Sequence, residues 1–250
     1  MSDVDAVILA AGLSSRMSGF KPLMPLAGPS ALERVVGLFR EAGARELIVV
    51  TGHEAERVAK AARVFGARVA HNPRFSEGMF TSVRAGVSAL REDCQAFFLL
   101  PVDIPLVRPW TARRLLESFT PGQTLAAHPS FLGERGHPPL LAGSLRRVIL
   151  EASEHGTTRS AGAAGGLRGV LQKVEAENPK VVIEVATPDE GVLLDMDTDE
   201  DLARLERRAG RPGIPSPREC EALLTELAVA TRTREHCQAV ANAAVALGRA

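Results

Sequence analysis

Short β-branched runs alternate with longer segments of helical period along the first half of this chain: "VDAVILA", "PSALERVVGLFREAG", "ELIVVTG", "EAERVAKAARVFG", "ARVAHN", "MFTSVRAGVSALRED" and "AFFLLPVD". That order leaves little room for anything but βαβ units around a mostly parallel sheet. The runs "AVILA", "LIVVT" and "FFLLP" are apolar on both faces, as strands covered from both sides must be. Leu32, Val35, Val36 and Phe39 fall on one helical face, opposite Glu33, Arg34 and Arg40. The expected class is α/β: a three-layer, Rossmann-like domain with helices on both faces of the sheet.

After residue 120 the pattern loosens into "TLAAHPSF" and "HPPLLAG", a helix near "SLRRVILEAS", and the Gly/Ala/Thr-rich "HGTTRSAGAAGG", which reads as a surface loop or a ligand-gated flap. "VVIEV" and "VLLDMD" read as late strands, and "DEDLARLERRAG" as a helix with acids in its first turn. "RPGIPSP" is the best boundary, expected to be a poorly packed joint. The division expected is a domain over 1–209, a linker over 210–217 and a short C-terminal helical appendage over 218–250. Leu223, Leu224, Leu227, Val240, Ala244 and Leu247 in the appendage must bury against each other, the domain or another copy.

A chain of 250 residues, 45% hydrophobic and 24% charged, can bury a substantial core. Its 30 basic and 30 acidic residues cancel, so no nucleic-acid partner is expected and any phosphate site must be local. Cys94, Cys220 and Cys237 are far apart without C-x-x-C spacing, which argues against a zinc site or a disulfide scaffold. The N-terminus lacks a basic n-region, and no apolar run approaches the roughly 20 residues of a spanning helix. A cytoplasmic protein without a membrane partner is expected.

Ligands of open parallel sheets bind beyond the strands' carboxyl ends, and "LAAGLSSRMSGFK" follows the first strand. Ala10, Ala11 and Gly12 lack bulk, so a ligand can approach the backbone, while Arg16 and Lys21 add a guanidinium fork and a point charge. The spacing is neither G-x-x-x-x-G-K-[ST] nor G-x-G-x-x-G. On residues alone, a triphosphate cradle and a Gly/Ser turn with two solvated cations are equally good readings.

The same stretch closely resembles the L-A-A-G-x-S-x-R-M-G-x-x-K signature of the nucleotidyltransferases that act on the molybdenum cofactor, especially the cytidylyltransferase branch. Ser18 stands where the signature has glycine, and Gly19 follows it. In the same order, "NPRFSEGMFTSVRAG", "LLPVDIPLV", "RGHPPLL" and "VLLDMDTDEDL" resemble the family's later motifs. The resemblance covers residues 4 to about 208, and its specificity lies in five ordered matches.

The resemblance implies nucleotidyl transfer: an acceptor phosphate attacks the α-phosphorus of an NTP and pyrophosphate leaves. It implies CTP and a molybdopterin-type cofactor as substrates, Mg²⁺ as cofactor, and the molybdoenzyme receiving the product as a protein partner. Arg16, Lys21 and Asp103 are the implied catalytic residues; Leu9, Ala10, Ala11, Gly12, Ser14, Gly78 and Ser82 join them in binding the nucleotide. Asp103, which on residues alone could equally cap a turn, is the implied metal ligand. Asp195 and Asp197 are read as facing opposite ways, with Asp195 as the second ligand. His137 is the implied acceptor contact, although a lone His before Pro is often structural. His53, His71, His128 and His155 show no metal-ligand spacing. The family's guanylyl branch has glycine where this chain has Ala11, which implies a pyrimidine preference here. A GTP-using or sugar- or polyol-phosphate transferase, and a non-catalytic nucleotide or cofactor sensor or chaperone, are the competing readings. The tail resembles the start of an HD-type phosphohydrolase domain, with His236 as its metal-ligand histidine. The chain has no His-Asp dipeptide, so that metal site is not expected from it.

Overall fold

The computed structural model describes residues 3–13, 17, 19–152 and 165–248. Its centre is an eight-stranded sheet in the order β3-β2-β1-β4-β7-β5-β6, with β8 paired to β5. Strands β1 (Val4–Ala10), β2 (Leu47–Thr51), β3 (Arg68–His71) and β4 (Ala96–Pro101) are parallel, joined through helices α1 (Ala31–Ala42), α2 (Ala55–Val64) and α3 (Met79–Ser88). After α4 (Pro109–Ser118) come β5 (Ala126–Phe131), β6 (Glu134–Arg135) and β7 (Leu140–Ala142). β7 runs antiparallel to β4 and β5, whereas β8 (Val182–Ala186) is parallel to β5.

Alternation along each strand builds the layers. Ile8 and Ala10 of β1, with Phe98 and Leu100 of β4, face the core under α1, α2, α4 and α7 (Asp199–Ala209). Val7, Leu9, Phe97 and Leu99 face the opposite core, under α3, α5 (Leu145–Glu151) and α6 (Gly166–Glu177). This is the three-layer α/β fold expected. Phe39 of α1 stacks on Phe98 with ring centroids 5.1 Å apart. Gly86 lets α3 lie directly on the sheet, because a Cβ there would meet Val50 Cγ2 at 2.8 Å and collide with Val7. Helix ends follow their sequence signals: Ser30 caps α1 by accepting from Glu33 N–H, and Thr198 with Asp201 forms a capping box on α7.

The second half departs from the sequence reading. β5, β6 and β7 are strands where only loosened pattern was visible, because Pro129 and small residues mask β5 and the other two are very short. α6 was not foreseen. "VLLDMD" is not a strand: Glu190–Leu193 forms a 3-10 turn and residues 194–197 lie outside the sheet. The expected loop or flap "HGTTRSAGAAGG" lies almost entirely outside the described residues.

The joint after α7 is exposed over residues 211–215, as expected, but is tied by hydrogen bonds. Arg108 donates to the Pro212 carbonyl at 3.1 Å, Arg208 to the Ile214 carbonyl, and Glu219 of α8 (Pro217–Glu226) is buried. In the tail, Leu223 and Leu224 are half-buried on α8, with Ala222 packed against the core. No residue of α9 (Thr231–Leu247) is buried, and Leu227, Val240 and Leu247 are exposed. His236 lies on this exposed helix. Among the described residues no helix is long and apolar enough to cross a membrane.

Asp5 of β1 is fully buried, 3.6 Å from Arg45 and beside the Cys94 thiol and the Glu46 backbone. Burial pushes its carboxyl above the ordinary value, against the nearby Cys94 thiol and Arg45 charge. A raised folded-state pKa means that folding takes up protons, so stability falls as pH rises from the unfolded toward the folded pKa. Asp5→Asn is expected to remove that decline with pH. Arg45 keeps Asp3 at 2.6 Å and Asp93 at 3.1 Å as partners, so it is not stranded. Chemical denaturation of both proteins across pH checks this; equal slopes with pH would contradict it.

Candidate active site

The register of the central strands creates the crevice. Leu9 of β1 pairs with Pro101 of β4, and the Val102 N–H donates to the Leu9 carbonyl at 3.0 Å, so the loops leaving both strands start side by side. Leu9, Ala11, Gly12, Lys21, Ser82 and Asp103 line a cavity of about 290 Å³ there, together with Asp197. Ala10 does not: alternation sends its methyl into the core beneath α1, leaving its backbone as its contribution to the loop. Ser14 and Arg16 lie outside the described residues.

Lys21 opens a 3-10 turn, Lys21–Leu23, whose fixed φ at Pro22 and Met24 N–H to Lys21 carbonyl bond hold the turn. Its side chain is 11% exposed, and Nζ lies 2.8 Å from Asp197 Oδ1 and 3.6 Å from Asp103 Oδ2. Burial pushes the Asp103 carboxyl above its ordinary value; Lys21 opposes this, while the charges of Asp197 and, less, Asp195 reinforce it.

The second carboxylate at Lys21 is therefore Asp197, not the Asp195 chosen from sequence. The premise of opposite faces fails because residues two apart in extended chain share a face. Met196 between them is fully buried and its N–H donates to the Asp103 carbonyl at 2.8 Å, which fastens this segment beside Asp103. Asp195 is exposed, and its charge is also felt by His137.

Gly78 precedes α3 with φ +117°, a conformation glycine adopts readily and side chains do not. One turn later, Ser82 Oγ accepts from Asn72 Nδ2 at 2.9 Å. Asn72 also bonds Thr81 at 2.9 Å, so it braces the start of α3; the sequence reading quoted it only inside "NPRFSEG".

A second cavity of about 790 Å³ shares Leu9, Met79 and Pro101 with the crevice. Its wall includes His137, as well as His128, Arg135 and Glu175, which the sequence did not single out. Burial, with the Arg135 charge and His137, pushes His128 down to about 4, and burial lowers His137 against the pull of Asp195. Both imidazoles are neutral at pH 7.

The donor chemistry fits a hard divalent cation. Two carboxylates converge on one positive centre, the Lys21 ammonium, and Mg²⁺ is commonly held by one or two carboxylates with substrate phosphates. Among the described residues no group of three or more His, Cys, Asp or Glu side chains is arranged to hold a metal, so phosphate oxygens would complete such a site.

A small-residue loop, a lysine and paired carboxylates stand at the carboxyl edge of a mostly parallel sheet, where open α/β sheets bind ligands, and the similarity to known proteins places the chain in the nucleotidyltransferase class. This chain belongs to the family of MobA-like NTP transferase domains, which matches residues 6–178. It is 30% identical over 195 residues to the molybdenum cofactor cytidylyltransferase of Escherichia coli K12, covering 76% of this chain and 94% of that protein. It is 31% identical over 208 residues to the nicotine blue oxidoreductase of Paenarthrobacter nicotinovorans, covering 81% of this chain and 96% of that protein. A nucleotidyl transferase from Methanothermobacter thermautotroptrophicus superposes with a TM-score of 0.70 at 25% identity, over 84% of this chain and 99% of that one.

Proposed function

We propose that this protein transfers CMP from CTP to a molybdopterin-type cofactor with release of pyrophosphate. The observation that carries this reading is the Lys21 ammonium between Asp103 and Asp197 at the mouth of the β1 loop, opening onto a larger cavity beside it. An oxygen of the acceptor phosphate attacks the α-phosphorus of CTP, the bond from that phosphorus to the bridging oxygen breaks, and pyrophosphate departs. Phosphate is already a competent nucleophile near neutral pH, so the residues act by positioning and by neutralising charge. Lys21 and Arg16 take the triphosphate charge, while the loop Leu9–Gly12 lets the phosphates approach the backbone. Gly78 and Ser82 lie where the base or ribose would meet the start of α3, and His137 faces the acceptor. Asp103 and Asp197 would hold Mg²⁺, which when bound supplies charge neutralisation to the phosphates.

Two arguments favour CTP and the molybdopterin-type acceptor. The cytidylyltransferase relative is matched over nearly its full length, and Ala11 is among the residues that line the crevice. The oxidoreductase relative is matched equally fully, so the choice of reaction rests on the charged groups. Pyrophosphate release from each NTP, with and without reduced molybdopterin cofactor, tests the reading. CTP-dependent release that requires the acceptor is expected. Release with GTP or a sugar phosphate instead would keep the class and overturn the substrate; nucleotide binding with no release would favour a sensor or redox protein.

Ala11→Gly is expected to relax the base preference partway toward GTP. One methyl group is worth about 1–3 kcal/mol of discrimination in such a pocket, so a full reversal is not expected. The ratio of kcat/KM for CTP and GTP in the two proteins checks this; an unchanged ratio would remove Ala11 from base selection.

A further inference from the structure

The first turn of α8 is clasped to the segments that carry Asp103 and Asp197. Glu219 is 1% exposed and accepts from the N–H groups of Ser216 at 2.8 Å and Glu190 at 3.3 Å; it also pairs with Arg208, and with Arg108 at 3.5 Å. Glu190 in turn accepts from Ser216 Oγ at 2.7 Å and Arg218 at 2.9 Å. Next to it Asp189 accepts from the Arg108 N–H at 2.8 Å and from Thr111 Oγ1 at 2.6 Å. Gly191 is packed so closely on the Leu106 carbonyl that a Cβ there would overlap it. Three segments, 105–111, 189–191 and 216–219, thus meet at one set of charges. The first two run directly from or into Asp103 and Asp197, and the Met196 to Asp103 backbone bond joins their ends.

A buried ion network of this kind adds little net stability, because desolvation offsets its Coulomb energy, but when every group is satisfied it fixes one geometry. We infer that the docked turn of α8 is a positioning device for the active-site carboxylates. Glu219 is its positioning residue: it holds the Pro105–Arg108 and Asp189–Asp197 segments in register, so Asp103 and Asp197 stay at the spacing the Lys21 site requires. The catalytic consequence rests on the transferase reading; the coupling itself does not.

Three variants test it: Glu219→Ala; Glu219→Gln, which keeps an acceptor for only one of the two N–H groups and removes the charge; and Arg218→Ala, which removes one half-exposed contact to Glu190. Amide hydrogen exchange needs no activity. In Glu219→Ala, residues 102–108 and 189–198 are expected to exchange at least about 10-fold faster, with β1 and β2 unchanged. Trp110 is the chain's single tryptophan and lines a groove with Arg108, Pro212 and Glu219, so its emission should shift to the red as the turn undocks. In the transfer assay kcat should fall about 10-fold and the Mg²⁺ concentration for half-maximal rate should rise similarly, since small misplacements at a reacting centre are costly. Glu219→Gln should fall between, and Arg218→Ala should show a smaller change of the same kind. If Glu219→Ala does not fold, the other two carry the test. A merely structural contact would lower the melting temperature and leave the Mg²⁺ requirement unmoved. Wild-type exchange in 102–108 and 189–198 despite a red-shifted Trp110, or a wild-type Mg²⁺ requirement, would overturn the inference. If the wild-type protein transfers nothing, the transferase reading fails while the exchange data still decide the coupling.

Discussion

Lys21→Ala is expected to lower nucleotidyl transfer by roughly 100- to 1,000-fold, the usual cost of removing one fixed charge or donor from a preorganised site. Lys21 is held by its turn and is mostly shielded from water, so its charge is neither mobile nor screened. The same change should raise the Asp103 carboxyl pKa further, because Lys21 is the cation that opposes burial and Asp197 there. A titration of the metal-free protein followed by carboxyl NMR checks the sign. Near-normal turnover in a folded Lys21→Ala protein would remove the residue from the reaction.

Asp103→Asn and Asp197→Asn are each expected to cut turnover by about 1,000-fold, roughly 4 kcal/mol, and to raise the Mg²⁺ requirement. Asp195→Asn should lower it less than about 10-fold, because Asp195 adds only distant charge to Asp103. The comparison is sharp because Asp197 pairs with Lys21 at 2.8 Å while Asp195 is exposed. Steady-state rates across Mg²⁺ concentration for all three variants decide it. A larger effect at Asp195 than at Asp197 would restore the choice made from sequence.

The first half of the fold was legible because its strands are buried on both faces and its helices carry a single apolar stripe, as in "LIVVT" and in Leu32, Val35, Val36 and Phe39. The place of the site followed from the same pattern, since the loop after β1 must open at the sheet's carboxyl edge. The second half was harder. β5 carries Pro129, β6 is two residues long, and α6 opens on a glycine-rich run although Leu167, Val170, Leu171 and Val174 keep helical spacing. Asp195 was preferred to Asp197 because the place of Asp197 beside Lys21 depends on a 3-10 turn over Glu190–Leu193 and on the Met196 N–H bonding the Asp103 carbonyl. No local pattern reports that. The bond from Glu219 to Arg108 spans 111 residues and the one to Glu190 spans 29, so a proline-rich joint that looks loose in sequence is tied down in space. His128 faces the second cavity only because β5 lies beside β8, a pairing between distant segments.

The claim that the crevice directs attack at the α-phosphorus is tested most directly by the fate of label. CTP labelled at the α-phosphate or at the γ-phosphate is incubated with the protein, Mg²⁺ and reduced molybdopterin cofactor, and the products are separated. The α label should appear on the acceptor in equal amount to γ label released as pyrophosphate, and both should vanish in Asp103→Asn. Label appearing as inorganic phosphate, or α label remaining on free nucleotide while the γ label is lost, would contradict the account.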